Sequence, residues 1–193
     1  MKVLVYDTET TGLPNWSVPS SDPSQPHVTQ IAAELFDDET GKTHSFIDCL
    51  IYPAGWEISQ EIETLTGIST KRCYAGGAAI HNALPLFIDL WMRCEVRVAH
   101  NESFDMRMLR IELMRHGMFK DMIFGDQTFP DHWKAGNAYC TLRESRKVIG
   151  GKMPTLREAY NALTGKTMEE SHNAKADVAA CKAVYLALKA MGA

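Results

Sequence analysis

A short apolar run at residues 3–6 (Val-Leu-Val-Tyr) stops at Asp7 and gives way to Thr-Glu-Thr-Thr-Gly. That pattern predicts a buried strand ending in a polar turn. The Pro- and Ser-rich stretch 14–26 predicts a loop, longer than compact domains usually carry and of a length associated with function or mobility. Residues 28–36 and 43–52 predict two further strands joined by a turn at 37–42, which completes an antiparallel meander. Helices follow at 59–65, closed by Gly67, and at 78–94, where Pro85 marks a kink or break. A brief strand at 96–99 leads into a helix at 102–115, with Met106, Leu109 and Leu113 near helical spacing and Gly117 beyond its end. Residues 139–148 and 156–163 predict two more helices. The last, 175–189, carries Val178, Cys181, Val184, Tyr185 and Leu188 along one face. Residues 125–136 are aromatic-rich and irregular and receive no assignment. A meander, then strand–helix units, then helices is the order of an α/β fold built on a mixed sheet.

Composition narrows the class. A chain of 193 residues with 45% hydrophobic residues fits one domain, residues 1–193, with a sizeable core. No apolar run approaches the roughly 20 residues that span a bilayer, so no membrane partner is expected. Asp7 interrupts the N-terminal apolar run too early for a secretory signal. The five cysteines are dispersed, odd in number and lack a CxxC, which favours free thiols in a reducing compartment, the cytoplasm. A net charge of −4 argues against a protein that coats nucleic acid through bulk positive charge. It is compatible with an enzyme that holds a few nucleotides beside bound cations. Arg143, Arg146, Lys147, Lys152, Arg157 and Lys166 face only Glu144 and Glu158 in their stretch. Phosphate contacts and a plain solvated helix face explain that cluster equally well.

Three groups of residues carry candidate chemistry. Asp7 and Glu9, two apart on an extended strand, point to the same side roughly 7 Å apart. Two such carboxylates repel unless a cation lies between them. Phosphodiester hydrolysis uses two divalent ions about 3.5–4 Å apart, one activating water and the other stabilising the leaving oxygen. Oxygen ligands with retained waters favour magnesium or manganese. The spacing alone decides little, since Asp37 and Glu39 share it inside an evident turn. The second group, His100-Asn101-Glu-Ser-Phe104-Asp105, follows a strand, so Asp105 enters the first turn of the next helix at the C-terminal edge of the sheet. A helix cap at Asn101 with Asp105 complementing the dipole is the plainer explanation. The third, His172-Asn-Ala-Lys-Ala-Asp177, again puts an acid in a first turn with a histidine just before it. An imidazole there suits a general base. Spacing does not choose between His172 and His100 for that role, and His116 with Asp121 repeats it once more.

Taken together and in this order, the three groups resemble the three-motif pattern of the DEDDh exonucleases, the family of epsilon-type proofreading subunits, ribonuclease T, oligoribonuclease and the mammalian three-prime repair exonucleases. The likeness extends from Asp7-Thr-Glu-Thr-Thr-Gly-Leu13 to the last helix, and Thr66-Gly67-Ile68-Ser69 matches a further segment. It implies a ribonuclease H-like fold, a mixed five-stranded sheet of antiparallel meander plus parallel strands flanked by helices. It also implies two divalent cations, Mg2+ or Mn2+, and 3′→5′ release of nucleoside 5′-monophosphates. By position, Asp7, Glu9, Asp105 and Asp177 would hold the metal ions and His172 would be the base. Thr8 would contact the terminal nucleotide through its backbone, with Thr11 and Gly12 in the same substrate-binding run. Leu13 and Ile68 would pack against terminal bases, while Asn101 and Phe104 would shape the floor. Two features depart from many relatives: Cys140-Thr141 replaces an Asp-Thr pair, and the 14–26 loop is long.

The expected partners are nucleic-acid 3′ ends, single-stranded DNA or RNA, and a separate polymerase is a further candidate. The Thr-Thr-Gly-Leu run favours DNA. An exoribonuclease acting on RNA tails or short oligoribonucleotides is the first alternative, because no residue announces a contact to the 2′-hydroxyl. A silent nucleic-acid- or polymerase-binding module is the second, and the full set of acids speaks against it.

Overall fold

Alternation along the first strand decides which side of the sheet each residue serves. Leu4 and Tyr6 enter one buried cluster, with Phe87, Trp91, Met108 and Leu109. Val3 and Val5 enter the other, with Val98, Val178, Cys181 and Tyr185. Continued beyond the apolar residues, the same alternation sends Asp7 and Glu9 toward the second layer and Thr8 toward the first.

The computed structural model describes residues 1–118, 137–168 and 173–192, together with the backbone of a small hairpin between them. In chain order the elements are β1 (Lys2–Thr10), β2 (Val28–Asp37), β3 (Thr43–Leu50), α1 (Gln60–Thr66), α2 (Thr70–Gly76), α3 (Ile80–Arg93), β4 (Val96–Ala99) and α4 (Glu102–Arg115). They continue with the hairpin β5 (Ile123–Phe124) and β6 (Gln127–Thr128), then β7 (Asn137–Cys140), α5 (Thr141–Ile149), α6 (Leu156–Thr164) and α7 (Ala174–Ala190). Five strands form one mixed sheet in the order β3-β2-β1-β4-β7. The meander β1–β3 is antiparallel, and β4 and β7 add in parallel beyond β1. Helices α3 and α4 cover one face and α7 the other. This is the mixed α/β sheet flanked by helices that the sequence predicts.

Four elements differ from expectation. The first strand does not end at residue 6 but pairs with β2 through Thr10, so both acids of the first group lie inside the sheet. Residues 137–140 form a strand before α5 begins, because Tyr139 and Cys140 pair in parallel with Val98 and Ala99. Helix α2 is absent from the sequence reading. It is short, buries one residue, Cys73, and is started by the Ser69 side chain accepting from the Arg72 N–H. Helix α3 runs unbroken through Pro85. Proline removes one backbone bond there, while Leu84, Phe87, Ile88 and Trp91 bury their side chains on the same helix. The unassigned stretch 125–136 lies, apart from the backbone of β6, outside the described residues.

Helices α1 and α2 are anchored to the sheet at Gly77. The Tyr52 N–H donates to the Ala78 carbonyl and the Ala78 N–H to the Leu50 carbonyl, both at 2.8 Å. A Cβ on Gly77 would lie 2.5 Å from the Cys73 carbonyl oxygen and 2.6 Å from the Tyr52 nitrogen. Both are backbone atoms and cannot rotate away. Gly77→Ala is therefore expected to cost about 1–3 kcal/mol. In urea titrations the midpoint should fall at constant slope, and an unchanged midpoint would show that the junction yields without strain.

Candidate active site

Three carboxylates meet at the end of β1. Asp7 and Glu9 point from alternate positions toward α7, whose first turn supplies Asp177. Helix α7 is held there by its start: the Asn173 side chain accepts from the Lys175 and Ala176 N–H groups. The Ala174 N–H donates to Gln30 Oε1, and Gln30 is paired with Glu9 across the sheet. A ligand oxygen from each of Asp7, Glu9 and Asp177 lies within 4.8 Å of the others. Asp105 approaches from the opposite side of β1, in the first turn of α4. Its Oδ1 accepts from the Thr8 N–H at 2.9 Å and the Thr8 hydroxyl at 2.8 Å. One strand thus places three residues in succession around one point, two as acids and Thr8 as the brace of a third.

The acids form the floor of an open cleft of about 520 Å³. Gly12, Leu13, His100, Asn101 and Phe104 line it further, together with Glu61, Ile62, Leu65 and Thr66 of α1. Asp7 is open to the cleft and enclosed by protein elsewhere. Burial raises its pKa well above the carboxylate range, and Asp105, Asp177 and Glu9 add repulsion in that order. Burial, then Asp177, pushes Glu9 to about 7. Burial pushes Asp105 to about 8 against the opposing pull of its two Thr8 hydrogen bonds. Such a group of acids is paired most economically by divalent cations, and an all-oxygen donor set fits magnesium or manganese.

His100 lines the cleft, but both ring nitrogens are engaged. Nε2 lies 3.0 Å from the Pro154 carbonyl, which can only accept, so Nε2 carries the proton. Nδ1 lies 3.0 Å from the Thr141 hydroxyl. Burial lowers the His100 pKa, so the ring is neutral near pH 7. Thr141, the member of the Cys140-Thr141 pair that does not depart from many relatives, is fully buried and braces His100. His172 lies outside the described residues.

The other expected contacts divide. Gly12, Leu13, Asn101 and Phe104 line the cleft as expected residues of the wall and floor, and Leu13 is 84% exposed. Asn101 takes a left-handed conformation (φ 73°) at the start of α4 and makes no side-chain cap bond. Thr11 instead closes the base of the 14–26 loop, its N–H and hydroxyl both bonded to the His27 backbone. The Thr8 N–H is already spent on Asp105. Ile68 is a correction. It is only 2% exposed, packed with Ile58 and Cys73, and has no surface to offer a base. The left-handed turn at Gly67 (φ 69°) carries it beneath α1. Ile62 and Leu65, one turn apart on that helix, form the apolar wall in its place. Their i, i+3 spacing behind the Ser59 cap was the available signal.

The profile of the exonuclease (RNase T) family matches residues 4–185. The chain belongs to this exonuclease family. Among curated proteins no sequence match reaches significance. Solved structures share the fold. E. coli exonuclease I in complex with a dT13 oligonucleotide superposes with a TM-score of 0.71 at 18% identity, covering 97% of this chain and 41% of that one. Its zinc-bound form in complex with single-stranded DNA gives 0.73 at 18% identity, covering 98% and 40%. Exonuclease X in complex with 5′-overhanging duplex DNA gives 0.62 at 19% identity, covering 99% and 93%. The chain thus spans about two fifths of the length of exonuclease I. Family membership and the shared fold make this chain exonuclease-like.

The raised acids set a pH dependence. With no ion bound, the folded chain holds protons that the unfolded chain releases from about pH 4 upward. Stability without metal should therefore fall as pH rises toward 8, the value near which Asp105 titrates. Adding Mg2+ or Mn2+ should raise the melting temperature, and by more at pH 8 than at pH 5. Asp7→Asn should raise the melting temperature in EDTA by roughly 2–4 °C and abolish the metal increment. A metal increment independent of pH, or a less stable Asp7→Asn, would contradict the crowding of charge described above.

Proposed function

We propose that this chain removes nucleotides one at a time from nucleic-acid 3′ ends, releasing nucleoside 5′-monophosphates, with single-stranded DNA as the preferred substrate. The observation that carries the reading is the convergence of Asp7, Glu9 and Asp177 oxygens within 4.8 Å, with Asp105 braced alongside. Two divalent ions, Mg2+ or Mn2+, bound among these acids would activate water for in-line attack and stabilise the leaving oxygen. Asp7, between Asp105 and Asp177 in the charges it feels, is the carboxylate suited to both ions. The His172 imidazole takes the proton of the attacking water. His100 is committed through both nitrogens, which supports giving that role to His172. Leu13, Ile62 and Leu65, all lining the cleft, offer apolar faces to the terminal bases, a sequence-tolerant contact.

DNA is preferred over RNA on two grounds: the Thr-Thr-Gly-Leu run, and the DNA held by the exonuclease I and exonuclease X structures. Retention of all four acids argues against a silent binding module. The five free thiols support a reducing compartment such as the cytoplasm, where a polymerase is a fitting partner.

The test is a gel assay on 5′-labelled single-stranded DNA and RNA with Mg2+, Mn2+ or EDTA. A ladder shortening from the 3′ end, absent in EDTA and in Asp177→Ala, is expected, with DNA the faster substrate. No cleavage of either polymer, or of RNAs two to five nucleotides long, would favour the binding module. His172→Ala should lower turnover about 10²–10⁴-fold with little loss of binding. A comparable loss in His100→Ala with His172→Ala silent would reassign the base.

A further inference from the structure

The long loop between Leu13 and His27 is fastened at many points. Thr11 and His27 close its base through a backbone bond of 2.9 Å and a second bond to the Thr11 hydroxyl. Gln25, buried inside it, accepts from the Asn15 N–H and donates to the carbonyls of Asn15, Val18 and Pro19. From α4, Arg107 donates to the Asn15 and Val18 carbonyls, and Arg115 to those of Gln25 and Pro26. Long loops held this way are compact surface modules with their ends close together, and they are frequently functional.

Near the start of this fastened loop stands Trp16, 60% exposed. The Arg107 guanidinium lies 5.2 Å from its ring centroid, so a cation backs an indole that remains open to solvent. Arg107 follows Phe104, a floor residue of the cleft, by one helical turn on α4. Trp16 follows Leu13, a wall residue, by three positions, so their Cα atoms are within about 10 Å. At about 3.4 Å per stacked nucleotide, that span corresponds to about three nucleotides, counted from a terminal base resting on Leu13. An exposed tryptophan next to such a cleft, on a loop that needs no ordering when it binds, has the properties of a stacking platform.

We propose that Trp16, fixed by Gln25 and Arg107, is a base-stacking subsite for a nucleotide two or three positions upstream of the 3′-terminal one. The inference rests on the 3′-end reading above and adds to it a specific contact outside the cleft. The ring discriminates by length: a dinucleotide ends short of it, while an octanucleotide covers it. Every base has a stacking face, so the contact is indifferent to sequence.

The experiment compares kcat/KM on 5′-labelled dT8 and dT2 for the wild type, Trp16→Ala and Trp16→Phe. Trp16→Ala should lower the dT8-to-dT2 ratio about tenfold, chiefly through KM on dT8, and Trp16→Phe should restore most of it. A dT8 carrying an abasic residue at the third or fourth position from the 3′ end should show the same loss with the wild type at one of these positions. That loss should vanish in Trp16→Ala, because the partner is already gone. A structural role for Trp16 would leave the two losses additive. An unchanged ratio in Trp16→Ala, or additive losses, overturns the platform while leaving the 3′-end reading intact. A wild type that shortens neither substrate overturns both.

Discussion

Like charges crowded at the end of one buried strand are the constraint on which the rest of this structure depends. Asp7, Glu9, Asp105 and Asp177 could not be held together by a flexible scaffold, since each raises the cost of ionising at least one other. The sheet carries Asp7 and Glu9 on a strand paired on both sides of its apolar half. The other two acids arrive in the first turns of α4 and α7, where a helix dipole favours negative charge. Thr8 adds two hydrogen bonds to Asp105, and Gln30 ties the start of α7 to β2. A divalent cation relieves the repulsion that these devices oppose, so folding and ion binding share one energy term.

Around that rigid floor the walls are built from less regular pieces. Helix α1 is seven residues long and buries no side chain completely, and it reaches the sheet through the tight junction at Gly77. The lining residues Gly12 and Leu13 lead into the fastened 14–26 loop. The acids are thus placed on a strand and helices, while the surfaces proposed to meet bases lie on a short helix and a loop. That division lets substrate choice vary without disturbing the acids.

The four acids were legible in the sequence because each stands where an apolar pattern starts or stops, and because three such places occur in one order. The meander, α4 and α7 were legible from periodicity. Strand β7 was not, since four residues pairing in parallel with β4 carry no pattern of their own. Helix α2 was hidden for a similar reason, with Cys73 alone buried. Ile68 misled because it is buried with Ile58 and Cys73, whose spacing forms no pattern that would show it, while Ile62 and Leu65 line the cleft. The ambiguity between two histidines could not be resolved by spacing. His100 is committed by Thr141 and Pro154, which lie 41 and 54 residues away in the chain. The same holds for the 14–26 loop, whose composition says loop but whose rigidity comes from Arg107 and Arg115.

The central claim is that the acids at the end of β1 are a divalent-ion site. Anomalous diffraction from crystals grown with Mn2+ and a nucleoside 5′-monophosphate tests it most directly. The account predicts two manganese peaks about 3.5–4 Å apart, one among Asp7, Glu9 and Asp177 and the other between Asp7 and Asp105. Manganese elsewhere on the molecule with none at these carboxylates would contradict it.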